Sequence, residues 1–264
     1  MSTGSFIWYE LMTPDPDAAG KFYGSVLGWK ISPQTAPPGE KDYRMILRDD
    51  GGSAGGVLRL THDMLQHGAR PTWLPYLHVA DVDATTRAIE ADGGKVLMPR
   101  MDLPVGRIAM VADPMDTPFY VMNPVPPPGK PEAKSDVFDV RASQRVRWNE
   151  LASTDLARAK AFYGKHFNFR FNEVRSMGAM GDYCFIDHDG VRIGAIMQQR
   201  PDASPIPTWQ FYFGVDSAVG ARRAIEAGGG KVMHGPDEVP GPMWIVVAGD
   251  PAGAPFGIVS NQRE

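Results

Sequence analysis

The sequence predicts an α+β protein built from two tandem, homologous domains, each containing two βαβββ modules. Three observations support this class. Residues 6–124 align with residues 146–261, and a proline-rich segment, PVPPPGKPEAKSD, separates the two copies. Within each copy, a strand pattern followed by a helix pattern occurs twice in the same order. We therefore place the first domain at 1–124, a semi-rigid linker at 125–141 and the second domain at 142–264.

The first module begins with a strand predicted at about 6–13. Asp15 suits the N-cap of the following helix, because its side chain can accept from the first backbone N–H groups. Pro16 occupies the first helical position, where its missing N–H costs nothing. The helix is expected to end by Gly28. Three further strands are predicted near 29–33, 42–48 and 54–60.

The second module repeats this plan. A strand is predicted at about 73–79 and a helix at about 83–92, which ends at the glycine pair of the GGKV segment. Strands then follow near 95–98, 107–112 and 118–122. The segments PTWLPYLHV and PTWQFYFGV match each other in the two copies, so the second copy is predicted to have the same order of strands and helices. The βαβββ unit therefore occurs four times.

Composition excludes several classes of partner. The net charge is −4 and no basic stretch is present, which argues against a nucleic-acid partner or an anionic membrane surface. The apolar runs are too short to span a bilayer, and MSTGSF lacks the features of a signal peptide. Cys184 is the single cysteine, so no intrachain disulfide is expected. These features favour a cytoplasmic protein.

The first strand of each copy carries a repeated acid. WYEL contains Trp8 and Glu10, and WNEL contains Trp148 and Glu150. Residues two apart on a strand share a face, so each carboxylate should lie beside an indole on an inward face. One interpretation is a buried structural acid that accepts hydrogen bonds from backbone or an arginine. The other is a pocket carboxylate that moves a proton or binds a ligand group.

Aromatic and polar residues recur on the first strand of the second and fourth modules. Tyr76 and His78 share one face of their strand, and Gln210 and Tyr212 share the corresponding face in the second copy. These side chains either pack in the core or supply polar groups on an apolar pocket wall. The tryptophans of the same strands and the FY pairs of the first helices are expected in the core.

Several motifs identify a family resemblance: FYGSVLGW and FYGKHFNF, two IEA-x-GGKV segments, and two DP…PF turns. With them, nearly the whole chain resembles the vicinal-oxygen-chelate superfamily, which includes glyoxalase I, bleomycin-resistance proteins and extradiol dioxygenases. The two-domain glyoxalase-like proteins are the most similar. The resemblance implies cup-shaped mixed sheets that hold a small-molecule ligand. Because a tandem pair can mimic the dimer of single-domain relatives, it implies a monomer or a homodimer.

The resemblance also implies where metal ligands would lie. They would occupy the first strand, the strand that opens the second module of each copy, and the last strand. The residues at those positions are Trp8, Leu74 and Tyr120 in the first copy, and Trp148, Gln210 and Gly257 in the second. None of these is a usual metal ligand, and a catalytic divalent site needs about three protein ligands. We therefore predict no bound cofactor, with an off-pattern metal site around Glu10 and His78 as the alternative.

Three functions remain open from the sequence. The first is binding of a small organic molecule, with acid–base chemistry of the lyase or isomerase type centred on Glu10 or Glu150 if the protein is catalytic. The second is a metal-dependent lactoylglutathione lyase or extradiol dioxygenase. The third is a non-catalytic binding or resistance protein. The candidate ligand-binding residues are Trp8, Tyr76, His78, Tyr120, Trp148, Gln210 and Tyr212.

Overall fold

The structure is a computed structural model, and it describes residues 1–35, 37, 40–200 and 207–264. The first module comprises β1 (Phe6–Thr13), α1 (Pro16–Leu27), β2 (Lys30–Ile31), β3 (Tyr43–Leu47) and β4 (Ser53–Arg59), followed by the short helix α2 (His62–Gln66). The second comprises β5 (Thr72–His78), α3 (Val82–Ala91), β6 (Lys95–Leu103), β7 (Gly106–Ala112) and β8 (Pro118–Pro124).

The second copy of the repeat follows the same order. Its first module comprises β9 (Val146–Ser153), α4 (Leu156–Phe167), β10 (Val174–Ser176), β11 (Asp182–His188) and β12 (Val191–Gln198), with a 3₁₀ turn (Gly178–Met180) before β11. Its second module comprises β13 (Trp209–Gly214), α5 (Ala218–Ala227), β14 (Lys231–Val239), β15 (Met243–Gly249) and β16 (Pro255–Ser260). The predicted α+β class and the four βαβββ modules are confirmed.

The first helix of each copy begins and ends with the same local devices. The Asp15 side chain accepts from the backbone N–H groups of Asp17 and Ala18, and Pro16 follows as the first helical residue. Gly28 closes α1 in the left-handed region, with φ 73°. In the second copy, Asp155 caps the start of α4 and Asn168 takes the left-handed position at its end. Asparagine is the residue that most readily replaces glycine there.

The strands form two eight-stranded mixed sheets. The first has the order β2-β3-β4-β1-β5-β8-β7-β6, and the second has the equivalent order β10-β11-β12-β9-β13-β16-β15-β14. In each sheet the strand that opens the repeat pairs in parallel with the fourth strand of its own module. Glu10 lies opposite Gly56 in the first sheet, and Glu150 lies opposite Ala195 in the second. The two repeated acids therefore occupy the same place in their sheets.

The chain also divides into two compact units. Unit 1 comprises Met1–Ile7, Leu74–Ser135 and Asn149–Trp209, and unit 2 comprises Trp8–Trp73, Asp136–Trp148 and Gln210–Glu264. Each unit therefore combines residues of both copies of the repeat. The domain boundaries drawn from the repeat stay a prediction.

A buried hydrogen-bond relay joins the two copies within unit 2. The Trp73 indole N–H donates to the Tyr23 hydroxyl at 2.9 Å, and Tyr23 donates to Oδ2 of Asp250 at 3.1 Å. Asp250 Oδ1 accepts from the backbone N–H groups of Ala252 and Ala254, each at 2.9 Å. Trp73 and Tyr23 are fully buried, as expected for core residues. The polar tips of these core aromatics thus find partners inside the core.

Unit 1 contains the equivalent relay. The Trp209 indole N–H donates to the Tyr163 hydroxyl at 3.2 Å, and Tyr163 donates to Oδ2 of Asp113 at 3.1 Å. The other oxygen of Asp113 accepts from the backbone N–H groups of Met115 and Thr117. The aspartate of each DP turn therefore anchors the helix of the other copy through its tyrosine.

Burial raises the pKa of the Asp113 carboxyl above its ordinary value, despite its hydrogen bonds. The folded state therefore holds this proton more tightly than the unfolded chain, so stability from this group is present at low pH and is lost as pH rises. We expect the stability of the wild type relative to Asp113→Asn to fall as the pH rises above about 4, the ordinary pKa of an aspartate, because asparagine mimics the protonated acid. Urea unfolding of both proteins across this range measures the difference, and a constant difference would contradict the prediction.

A buried arginine stabilises the start of β3 in unit 2. Arg44, 3% exposed, makes a bidentate pair with the Asp42 carboxylate at 2.9 and 3.0 Å. Its third donor group contacts Asp17 on α1 at 2.6 Å, and Arg59 also donates to Asp42 at 2.9 Å. These cations hold the pKa of Asp42 below its usual range, with the Arg44 hydrogen bonds as the largest cause. Strand and helix are thus joined by ionic contacts.

The helices of the described ranges are all too short or too polar to cross a membrane.

Candidate functional site

The repeated glutamate of the first copy lies in an aromatic hydrogen-bond group. The Trp8 indole N–H donates to the Tyr43 hydroxyl at 2.8 Å. Burial, and after it the neighbouring charge of Glu10, raises the pKa of Tyr43 above its ordinary value. Tyr43 is therefore a neutral hydroxyl beside the carboxylate. Glu10 itself is only 1% exposed.

Gly56 explains how the Tyr43 ring can cover Glu10. Gly56 is the strand partner of Glu10, and a Cβ added to it would lie 2.1 Å from the Tyr43 hydroxyl oxygen and 2.4 Å from the ring carbon that bears it. The phenol ring therefore lies across Gly56 in space that any larger residue would fill. In this copy the acid is sealed, which favours the interpretation as a buried structural acid.

The second copy contains the equivalent glutamate–tyrosine pair, but its glutamate is more exposed to solvent. The Tyr183 hydroxyl donates to Oε2 of Glu150 at 2.6 Å. Ala195 stands at the place of Gly56, so the Cβ that the first copy lacks is present here. Glu150 and Tyr183 are both half-buried. A carboxylate held by a short, charge-assisted hydrogen bond therefore remains accessible in the second copy.

The burial pattern of β9 confirms that one face of this strand is open. Trp148, Glu150 and Ala152 are half-buried, whereas the alternate residues of β9 are buried. On β1 of the first copy, Trp8 is the only residue that is not buried. We name the open surface the Glu150 face. Its half-buried or exposed residues are Glu150 and Ala152 of β9, Met197 of β12, Tyr183 of β11 and Arg175 of β10, and the buried Ala195 and Phe185 lie among them.

The other predicted ligand-binding residues form separate pairs. In unit 1, Tyr76 and Tyr120 are strand partners, and their rings stack with centroids 4.3 Å apart. In unit 2, the Gln210 amide donates to the Tyr212 hydroxyl at 3.0 Å. The Tyr212 ring lies over Gly257, where an added Cβ would come within 2.4 Å of it. The two copies therefore fill equivalent positions differently, as their divergent residues predict.

His78 binds the N-terminal segment of unit 1. Its Nδ1 donates to the Ser2 carbonyl oxygen at 3.0 Å, and its backbone pairs with Gly4 and Ser5. Burial is the largest cause that lowers the pKa of His78 below its ordinary value. The side-chain and backbone hydrogen bonds of His78 therefore join the N-terminal residues to the end of β5.

The side chains present do not fit the metal centre that the resemblance implies. Trp8 uses its N–H on Tyr43, Gln210 uses its amide on Tyr212, and Leu74 is a buried apolar residue. Among the residues that the structure describes, no group of three His, Cys, Asp or Glu side chains could hold a metal ion. A metal site of three such protein ligands thus has no donor set in the described ranges.

The sequence predictions missed Tyr43 and Tyr183, which complete the two acid sites. A signal for them was present. Both follow an aspartate in a repeated DY pair, and each stands 33 residues after its glutamate. An acid and a hydroxyl that recur at one spacing in both copies indicate a conserved pairing within the repeat.

Comparison with known proteins agrees with the fold and the repeat. The family model of the Glyoxalase/Bleomycin resistance protein/Dioxygenase superfamily matches residues 5–118 and 145–258. The chain is 30% identical over 268 residues to the anthracycline biosynthesis protein DauV of Streptomyces sp. strain C5, covering 97% of this chain and 93% of that protein. It is 28% identical over 256 residues to CFP32 of Mycobacterium tuberculosis, a candidate glyoxylase, covering 96% and 93%.

Solved structures show the same fold. The Mn(II)-bound glyoxalase of Novosphingobium aromaticivorans superposes with a TM-score of 0.63 at 18% identity, covering 99% of this chain and 83% of that protein. That similarity concerns the fold alone. The family match covers both copies of the repeat and most of the chain. The chain therefore belongs to the Glyoxalase/Bleomycin resistance protein/Dioxygenase superfamily.

Proposed function

We propose that this protein binds a small aromatic molecule on the Glu150 face, and that Glu150 accepts a hydrogen bond or a proton from it. The observation that carries the proposal is the accessible carboxylate of Glu150, held at 2.6 Å by Tyr183. The equivalent Glu10 is sealed at 1% exposure. A proton acceptor must come within hydrogen-bond reach of its substrate, so the second copy is the one suited to a ligand.

The surroundings of Glu150 suit an aromatic ligand. Tyr183 and Phe185 lie side by side with ring centroids 5.4 Å apart, and Met197 adds a flexible apolar side chain. Aromatic rings gain from stacked and edge contacts with such groups. The relative DauV supports the same ligand class, because it is named for the biosynthesis of anthracyclines, which are planar aromatic compounds.

The chemistry available to the site is acid–base chemistry. A carboxylate accepts hydrogen bonds through both of its oxygens, and the Tyr183 hydroxyl donates to Oε2 of Glu150. Beside a bound phenol, Glu150 would accept the hydroxyl proton. Beside a carbonyl compound, it would remove a proton from the adjacent carbon, which is the opening step of many lyase and isomerase reactions. A non-catalytic binding protein would use the same carboxylate as a hydrogen-bond acceptor only.

The affinity for 2-naphthol tests this proposal. We expect Glu150→Gln to weaken binding about tenfold, because a hydrogen bond to a charged acceptor is lost. Glu10→Gln should leave the affinity within about twofold. Isothermal titration calorimetry of the two variants and the wild type measures the three values. Equal affinities in the Glu150→Gln variant and the wild type, or no binding of 2-naphthol, would overturn the proposal.

Turnover distinguishes the two forms of the proposal. If the protein converts an aromatic substrate, Glu150→Gln should lower kcat about 100-fold or more, because the proton acceptor is lost. If the protein only binds its ligand, neither the wild type nor the variant shows turnover.

A further inference from the structure

Arg147 of β9 is a buried arginine without a carboxylate partner. Three arginines are buried in the described ranges, namely Arg44, Arg48 and Arg147. Arg44 and Arg48 each pair with two carboxylates. Arg147 is 6% exposed, and no carboxylate of the described residues lies within ion-pair distance of it. Of the three buried charges, only that of Arg147 therefore lacks a counter-ion within the part of the chain that the structure describes.

The hydrogen bonds of Arg147 to the described residues all involve neutral groups. Its Nε donates to the Val140 carbonyl oxygen at 3.1 Å, and its Nη2 donates to Oδ1 of Asn261 at 2.8 Å. Sδ of Met243 lies 3.9 Å from the same Nη2. Nη1 makes no hydrogen bond within the described ranges, and it is not fully buried. Since a guanidinium has five N–H donors, Arg147 still has donors for an incoming acceptor.

Burial makes the positive charge of Arg147 costly. It lowers the pKa of the guanidinium below its usual range, and the charge of Asp139 opposes this effect only in part. Asp139 itself accepts through Oδ1 from the backbone N–H groups of Arg141 and Ala142. A buried charge is expensive unless it is paired and hydrogen-bonded. An anion that reached Nη1 would therefore remove part of this cost.

Gly214 provides the space that the Arg147 side chain fills. A Cβ added to Gly214 would lie 2.5 Å from Cδ of Arg147 and 3.2 Å from its Cγ. In the first copy, Ile7 and His78 stand at the positions of Arg147 and Gly214. Ile7 is a buried apolar residue, and His78 has a side chain where Gly214 has none. The cation and the glycine that accommodates it therefore occur together, in the second copy.

A partly open apolar surface begins beside the guanidinium. Met243, Ile245 and Val247 of β15 are half-buried, whereas Val246 is buried. Alternate residues of a strand share a face, so Ile245 lies on the same face as the Met243 side chain that contacts Arg147. Met243 and Ile245 are about 7 Å apart along the strand. This surface suits the apolar part of a small organic acid, whereas an inorganic anion would leave it uncovered.

We propose that unit 2 contains a second ligand site, in which Arg147 binds the carboxylate of a small organic acid through Nη1 while Met243 and Ile245 contact its apolar part. The Asn261 amide nitrogen makes no hydrogen bond to the described residues, so it can supply a second donor. The residues of this site belong to unit 2, whereas Glu150 belongs to unit 1. The inference therefore goes beyond the proposed function and does not depend on it.

Two probes of equal shape test the charge preference of this site. They are 3-phenylpropanoate and its neutral counterpart 3-phenylpropanamide, with affinities measured by isothermal titration calorimetry. At low ionic strength the acid should bind the wild type about tenfold more tightly than the amide, because an arginine forms a charge-assisted hydrogen bond with a carboxylate. Added salt should reduce this ratio, since it screens the ion pair. Arg147→Met should bring the ratio close to one.

Arg263→Met is the matched control, because it removes an arginine that lies over the Trp244 ring. Strand alternation places Trp244 on the opposite face of β15 from Met243 and Ile245. This variant should keep the wild-type ratio. Circular dichroism checks that both variants are folded, and the wild-type ratio with its salt dependence tests the inference if Arg147→Met unfolds.

Three results would overturn the inference: equal affinities of the acid and the amide for the wild type, failure of the acid to bind, or a ratio that survives in folded Arg147→Met. None of them bears on the binding of 2-naphthol, which tests the Glu150 face separately.

Discussion

Replacement of Asp250 by alanine is expected to lower the free energy of unfolding by about 4 kcal/mol, because two buried donors and one partly buried donor lose their acceptor at once. The donors are the Tyr23 hydroxyl and the backbone N–H groups of Ala252 and Ala254. A buried donor without a partner costs about 1–3 kcal/mol. Alanine also provides no group that could replace the carboxylate. Urea unfolding followed by circular dichroism measures the loss.

Two control variants separate the hydrogen bonds from the change in shape. Asp250→Asn keeps an acceptor oxygen and should cost about 1–2 kcal/mol. Glu226→Ala removes an exposed acid that pairs with Arg222 on α5, and it should cost less than about 0.5 kcal/mol. A loss below about 1 kcal/mol for Asp250→Ala would show that the relay contributes little to stability.

Replacement of Arg44 by methionine is expected to lower the free energy of unfolding by about 3 kcal/mol, because the buried Asp42 carboxylate loses its bidentate partner. Among the ion pairs of the described residues, Asp42 would keep its contact with Arg59, whose side chain is 37% exposed. Methionine matches the length of the arginine stem, so most packing contacts remain. Thermal and urea unfolding of the variant measure this effect.

A second substitution tests the electrostatic explanation. In the Arg44→Met background, Asp42→Leu should recover most of the lost stability, because it removes the uncompensated charge. Arg59→Gln in the wild-type background should cost about 1 kcal/mol, since its contact with Asp42 is partly exposed to solvent. If the double variant is no more stable than Arg44→Met, lost packing rather than charge explains the effect.

The elements predicted best from the sequence are those with local signals. The start of α1 at Pro16 and its end at Gly28 both follow from residues that cap or stop a helix wherever they occur. β6 was predicted too short, at 95–98, because Pro99 interrupts the pattern. This strand lies at the edge of its sheet, and Pro99 falls at a shift in its register with β7, both of which are places where a strand tolerates proline. The helix α2 was missed because five residues provide too little periodicity to detect.

The candidate site was predicted only in part, for a different reason. The repeated glutamates and their neighbouring tryptophans could be found from strand alternation, which is local. The exposure of the glutamates could not be predicted, because it depends on long-range partners such as Tyr43 and on whether glycine or alanine stands on the adjacent strand. The relays could not be predicted either, since Tyr23 and Asp250 are 227 residues apart. Such pairings follow from the tertiary fold rather than from any sequence window.

The composition of the two units bears on the role of the proline-rich segment predicted as a linker. In the usual tandem protein, a linker connects domains that could each fold without it. Here each unit contains segments of both copies of the repeat. During folding, segments on the two sides of the linker must therefore associate with one another. The linker therefore sets the effective concentration at which they combine. Two separate chains carrying one copy each would form the same units only by association, and their stability would depend on protein concentration.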